Sequence, residues 1–379
     1  MPDALIYADT VRSPELRHEL PLVVPDAFLY AELDGRRHVV VSALERERVA
    51  ALDPDVVLHP PEAFGFDDLL ASGLAREDAE LEVAVRACRE LGVTRAAVPG
   101  TFPLELADRL RAAGISLEPA RELFEARRRS KSAAELEGIR RAQAAAEAGM
   151  RAAAELLRAA EPDNGVLTVD GEPLTCERLR DTIEDAVADA GATVGDALIA
   201  SHGAQTAIGH ELGSGPIRAH EPVIVDLWPK DPRSACFADM TRTFVVGDPP
   251  AELSRYHRLT REALERSLAA IAPGAAGREL HRIACDVYEA EGFPTQLSKA
   301  PGEVLENGFF HSLGHGVGLE VHEAPLLGRS PDVLAAGDVV TLEPGCYRQG
   351  FGGCRLEDLV LVTDDGGELL TSYPYGLTP

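Results

Sequence analysis

The run Val223-Ile-Val-Asp226 ends on an acid, and Asp239-Met-Thr-Arg-Thr-Phe-Val-Val246 opens on another, 13 residues later. Short β-branched runs bounded by turn residues read as strands. Together they predict a hairpin with one carboxylate on each arm. The pattern recurs downstream. Val339-Val-Thr-Leu-Glu343 stops at Pro344-Gly345, and Glu357 lies within Arg355-Leu-Glu-Asp-Leu-Val-Leu-Val362, 14 residues after Glu343. An ionised carboxylate on a buried strand costs several kcal/mol unless something compensates it. Four of them, on two similar hairpins, ask for concentrated positive charge. A pair of divalent cations matches that charge, and carboxylates can bridge hard or borderline metals through both oxygens.

A neutral nitrogen ligand is expected to complete such a site. The segment Phe310-His311-Ser-Leu-Gly-His315-Gly-Val-Gly-Leu-Glu-Val-His322-Glu-Ala-Pro325 offers three histidines. Gly314, Gly316 and Gly318 would cost a helix ~1 kcal/mol each. Extended backbone puts His311 and His315 on one side, because their spacing is even. His322, seven beyond His315, falls on the opposite face unless a turn or bulge redirects it. Singly, each residue has an ordinary structural explanation: a buried Asp as hydrogen-bond acceptor, a core histidine, glycines in turns. The signal is the ordered set Asp, Asp, His, Glu, Glu. Other motif classes are absent. His210-Glu211 and His322-Glu323 lack the second histidine of HExxH. No GxGxxG follows a strand, and neither GxxxxGK[ST] nor GxSxG occurs.

The 379 residues are 45% apolar and 26% charged, which at ~150 residues per domain suggests two globular domains. Lys and Arg number 37 against 63 Asp and Glu, a net charge of −26. So acidic a chain repels phosphate backbones and anionic lipid heads, which disfavours nucleic-acid and membrane partners. The only lysines are Lys131, Lys230 and Lys299. Six scattered cysteines without a CxxC pair argue against a zinc knuckle and for a reduced, cytoplasmic setting. Met1-Pro2-Asp3-Ala4 lacks the features of a signal peptide, and no apolar run approaches the ~18 residues of a membrane span.

Upstream, Ala27 to Tyr30 and Arg37 to Val41 read as strands joined by an Asp34-Gly35 turn. Helices are expected over Asp78 to Leu91 and over Leu104 to Ala113, the latter stopping at Gly114. This gives a small α/β domain over residues 1–128. The charged run Glu125 to Ser132 reads as a solvated hinge. A capping box, Ser132 with Glu135, then opens a long helix to about Ala160 and a second domain over 129–379. Further helices are expected at 175–190, 253–272 and 278–291, and a weak twofold theme links the two hairpins.

On these motifs the chain resembles the M24 metallopeptidases, the pita-bread fold shared by methionine aminopeptidase, prolidase and aminopeptidase P. The resemblance spans about residues 130 to 375 and is sharpest at Ala238-Asp239-Met-Thr-Arg-Thr-Phe244, His311 to Gly318, Val321 to Pro325, Glu343-Pro-Gly345 and Arg355 to Asp358. It implies an α+β chain with a C-terminal pita-bread (creatinase/aminopeptidase) fold preceded by a smaller α/β creatinase-like N-terminal domain. By that resemblance, Asp226 chelates one metal, Asp239 and Glu357 bridge two, and His315 and Glu343 complete the second. Glu343 acts as general base toward a metal-bridging hydroxide. His322 and His311 line the pocket and donate to the developing oxyanion. His210 contacts substrate near the leaving group, and Arg355 holds the site through ion pairs. The implied cofactors are two divalent ions per subunit, manganese foremost, with cobalt, zinc or iron as alternatives. The implied partner is an Xaa-Pro peptide, and the implied assembly a homodimer.

The chain departs from the family pattern at Trp228, where Gly is usual, which is expected to reshape the pocket without removing ligation. It departs also in a longer loop over 202–209 and at Arg12 to Arg17. Two other readings stay open. One is a non-peptidase hydrolase or lyase of a small carbon–nitrogen substrate. The other is a non-catalytic pita-bread binding module.

Overall fold

The computed structural model describes residues 3–195 and 197–379. Met1 and Pro2, the first residues of the segment read for a leader, lie outside the described residues. The chain divides after Arg128 into two compact units.

The N-terminal unit is built on a six-stranded mixed sheet. Ala4–Ala8 runs antiparallel to Phe28–Leu33, which turns into Arg36–Val40. Asp34 and Gly35 at that turn have φ of 49° and 76°, the left-handed pair that a two-residue hairpin requires. Val57–His59 at one edge, and Arg95–Val98 with Ser116–Pro119 at the other, add in parallel. The helices Arg76–Glu90 and Leu104–Ala112 turn Val83, Ala87, Leu106 and Leu110 into the core beneath them.

The basic run read as a solvated hinge is instead a set of ion pairs. Arg121–Arg129 is helical and Arg128 is buried. Arg127 lies 2.9 Å from Glu19 and 2.8 Å from Glu32. Arg129 reaches Asp338 at 2.6 Å, and Lys131 pairs with Glu323 where both side chains are almost wholly buried. The reason is electrostatic: buried carboxylates need cations beside them, and in a chain so rich in acids this run supplies several.

In the C-terminal unit, the Ser132 hydroxyl accepts the Glu135 N–H and the Glu135 carboxylate accepts the Ser132 N–H, at 3.2 and 2.7 Å. That capping box starts the helix Ala133–Ala159. With Cys176–Asp189, it packs on the sheet formed by Ile199–His202, Val223–Leu227 and Met240–Phe244. A second helix pair, Ala251–Ala269 and Gly277–Ala290, packs against the strands Val339–Leu342, Gly345–Arg348, Gly352–Arg355 and Asp358–Thr363. Two helix pairs, each backing antiparallel strands, give the α+β pita-bread architecture and its internal twofold theme.

The two acidic hairpins differ. In the first, Asp226 stands opposite Thr241, and Asp239 sits one residue before its strand begins. The second was expected to be a continuous pair of strands carrying Glu343 and Glu357, and it is interrupted there. The ladder from Val339–Leu361 to Leu342–Asp358 stops, then resumes in unchanged register from Gly345–Arg355 to Arg348–Gly352 in a different sheet. Pro344 has no N–H to continue the ladder. The Glu343 N–H therefore donates to Leu313 O at 2.7 Å, and the Glu357 N–H to Thr241 O at 3.1 Å. The second of these bonds stitches one hairpin to the other.

Candidate metal centre

That stitch brings the acids together. Asp226, Asp239 and Glu357 each offer an oxygen, and these atoms lie within 4.8 Å of one another. The same holds for donor atoms of His315, Glu343 and Glu357, and for those of Asp239, His315 and His322. Asp239 and Glu357 each belong to two of these sets; Asp226, Asp239 and Glu357 are buried and Glu343 is mostly buried. The strand Gly314–Gly316 delivers His315. Its Nδ1 donates to Gly316 O at 3.1 Å, which leaves Nε2 facing Asp239 at 3.7 Å and Glu343 at 3.5 Å. A ring held this way presents its second nitrogen as a ligand. Gly314 has no room for a side chain, since a Cβ would lie 2.1 Å from Thr341 O.

His322 does reach the same side. A register shift follows His315, the chain folds back, and Gly316 pairs with Glu323. The His315 and His322 rings then meet edge to face, with centroids 4.2 Å apart. His311 differs from expectation. Its Nδ1 donates to Ser312 O at 2.8 Å, so its Nε2 accepts from the Tyr347 hydroxyl at 2.9 Å. Both ring nitrogens are engaged within the protein, and the expected donation to substrate is not available to it.

The electrostatics explain what the site lacks on its own. Burial, then Glu357, Asp226 and Glu343, pushes the Asp239 carboxyl well above its ordinary range. Burial and then Glu357 do the same to Glu343. Burial and then Asp226 push Glu357 up to about 8. Burial and mutual repulsion thus favour the protonated form of each of these acids unless cations stand beside them. Arg355 is the fixed positive charge among them. Burial opposes its charge, but Tyr347, Asp226 and Glu343 outweigh that and keep it protonated. Burial and then His322 push His315 down to about 3. Burial and then Arg355 push His311 down to about 3, and burial and then His210 lower His322. Neutral imidazoles beside crowded carboxylates form a donor set suited to divalent ions.

A cavity of about 850 Å³ opens over these groups. Its lining includes Asp226, Asp239, His315, Glu343 and Glu357, and also His210, His311, His322, Arg355 and Trp228. The ten residues singled out in the sequence thus face one space. Two neighbours were not anticipated. Thr241 donates from its hydroxyl to Glu357 Oε2 at 2.7 Å and accepts from Arg355 Nε at 3.2 Å. Tyr347 accepts from Arg355 NH1 at 3.1 Å while donating to His311. Thr241 carried a usable signal, being two residues from Asp239 on an alternating strand. Tyr347 carried none, because it lies beyond the break at Pro344. Arg242, from the same Thr-Arg-Thr run, is wholly buried against Asp358 at 2.8 Å and holds the back of the hairpin.

The architecture is the pita-bread fold with its acidic and histidine donors gathered at one cavity. The chain belongs to metallopeptidase family M24, which residues 137–364 match over more than half of its length. Xaa-Pro dipeptidases from Pyrococcus furiosus and Pyrococcus horikoshii are 37% and 36% identical to it over 182 residues. Those matches span 46% of this chain and 47% and 46% of the two relatives, so the chain spans about half the length of these curated relatives. An Xaa-Pro dipeptidase structure from Bacillus anthracis is similar over 99% of this chain and 94% of its own, with TM-score 0.79 and 23% identity. An X-Pro aminopeptidase structure from Thermotoga maritima is similar over 98% and 96%, with TM-score 0.76 and 21% identity. At such identities the structural likeness is one of fold. Among the described residues, no helix is long and apolar enough to cross a membrane.

Proposed function

We propose that this chain is a metal-dependent exopeptidase that hydrolyses Xaa-Pro bonds, as an Xaa-Pro dipeptidase or an aminopeptidase P. The observation that carries the reading is the convergence of Asp226, Asp239 and Glu357 oxygens within 4.8 Å in a buried site. So much buried negative charge fits divalent cations. Asp226 would hold one ion, Asp239 and Glu357 would bridge, and His315 with Glu343 would hold a second. Manganese is the first choice, with cobalt, zinc or iron as alternatives. When bound, the ions supply Lewis-acid activation of water and of the scissile carbonyl.

The chain's own groups do the rest. The Glu343 carboxylate takes the proton from water and returns it to the leaving nitrogen, a general acid–base role. Neutral His322, at the cavity mouth, donates to the carbonyl oxygen as negative charge develops there, an interaction worth ~3 kcal/mol in the transition state. His210 contacts the substrate near the leaving group. Arg355 fixes Asp226, and His311 holds the Tyr347 hydroxyl in place. The six free, buried cysteines support a reducing compartment, in keeping with a cytoplasmic enzyme. The family resemblance supports a homodimer.

The test is metal analysis combined with hydrolysis of Xaa-Pro dipeptides and Xaa-Pro-Xaa tripeptides. Bound manganese with Xaa-Pro cleavage is the expected result. Bound metal without peptide turnover would point to a small carbon–nitrogen substrate, and absence of metal affinity to a binding module.

A further inference from the structure

The cavity has two unlike sides. Its floor is the carboxylate set, and its wall is apolar, formed by Ile199, Leu212, Trp228, Phe310 and Leu326. Leu212 and Leu326 remain 43% and 45% exposed. Apolar surface left open inside a concave site is the mark of an apolar occupant. Of the wall residues, Trp228 stands closest in sequence to one of the carboxylates. It follows Asp226 by two residues at the end of the strand Val223–Leu227, and strand alternation turns both side chains to one face. The indole is half-buried and packs against the cluster of Ile199, Ala207, Ile224 and Tyr347, against which Phe310 packs as well. Behind it runs the loop at Gly195, where a Cβ would sit 3.6 Å from the indole Nε1. Pro229 restricts the backbone immediately after it. The ring is therefore braced on one side and open to the cavity on the other. A volume of about 850 Å³ falls in the range of sites that enclose drug-sized ligands, far beyond what Gly-Pro fills.

We propose that Trp228 is a specificity-determining residue, whose indole forms, with Ile199 and Phe310, a subsite for a bulky apolar side chain flanking the cleaved bond. This rests on the peptidase reading above and names the substrate class within it. The side chain can come from the residue before the bond or from one after it, and the experiment separates these.

Manganese-loaded wild type, Trp228→Ala and Trp228→Phe are assayed on Gly-Pro, Phe-Pro and Gly-Pro-Phe. Wild type should prefer one phenylalanine-bearing peptide to Gly-Pro, and which one it prefers identifies the side. In Trp228→Ala the ratio of kcat/KM for that peptide over Gly-Pro should fall about tenfold, the scale of one lost aromatic contact. The fall should lie mainly in KM, and Trp228→Phe should restore most of it. An unchanged ratio, whatever the absolute rates, overturns the proposal. A second readout stands apart from turnover. Trp228 is the chain's single tryptophan, so the emission of the wild type reports on this wall alone. A saturable change with the phenylalanine-bearing peptide, at a concentration about tenfold lower than with Gly-Pro, supports the subsite even where no peptide is cleaved. Equal responses to all three peptides, or none, overturn it. Failure of cleavage with the fluorescence preference intact would sink the peptidase reading and not the subsite.

Discussion

Arg355 and Asp226, 129 positions apart in the chain, meet at 2.5 Å on the cavity floor. The guanidinium is a permanent cation beside a carboxylate that two other acids crowd, and it also anchors Tyr347. Breaking a buried pair by removing one partner costs about 3–5 kcal/mol. Arg355→Met should therefore lower the thermal midpoint of the metal-free protein sharply. Manganese should recover much of the loss, since the ion offers Asp226 another positive partner. Thermal unfolding with chelator and with manganese measures both. An equal loss in the two conditions would separate Arg355 from the metal site.

Glu343→Gln keeps the size of the side chain and removes the proton acceptor. On the proposed function it should lower kcat by about 10²–10⁴-fold, the usual worth of a positioned acid or base. Asp239→Ala should in addition lose metal, because Asp239 belongs to two of the three donor sets. Metal content by elemental analysis distinguishes the two variants. Undiminished metal in Asp239→Ala would contradict its bridging place.

The effect of metal on stability should grow with pH. In the metal-free chain the Glu357 carboxyl is pushed up to about 8, and Glu343 and Asp239 are raised with it. Between the ordinary carboxyl range and pH 8, the folded protein holds protons that the unfolded chain has released. The contribution of these groups is full below about pH 4.5 and is lost as pH rises toward 8. On the proposed function, divalent ions would take the place of those protons. The rise in thermal midpoint on adding manganese should thus be larger at pH 8 than at pH 5, and a rise independent of pH would argue against it.

Lys131 and Glu323 form an ion pair with both side chains nearly out of water, and Glu323 follows His322 directly. Lys131→Met and Glu323→Gln should each destabilise the protein by several kcal/mol, since each strands a buried partner. The double variant should lose less than the sum, by at least ~1 kcal/mol of coupling. Urea unfolding of the four proteins closes the cycle, and additive losses would show that the two groups act independently.

Local features of the fold were legible in the sequence. The Ser132–Glu135 capping box and the Asp34-Gly35 turn are written in spacings of a few residues, and the carboxylates of the first hairpin in two short apolar runs that each carry one. The convergence of the acids and histidines was legible only as an ordered set. What escaped depends on partners distant in the chain. Arg127, Arg129 and Lys131 looked solvated because nothing nearby announces Glu19, Asp338 or Glu323. Tyr347 sits past a proline break that no periodicity foretells. His311 looked free to donate because the Tyr347 hydroxyl that occupies its Nε2 lies 36 residues away.

The break at Pro344 carries a dynamic consequence. The amides of Glu343 and Glu357 serve as clasps between neighbouring strands, bonded to Leu313 and Thr241. Loss of the ladder between the two arms does not by itself free either amide, because each clasp ends on a separate segment. Both should exchange hydrogen for deuterium only through the cooperative opening of the whole C-terminal unit, and at matching rates. The chemistry of this protein would then rest on the part of the molecule that opens last.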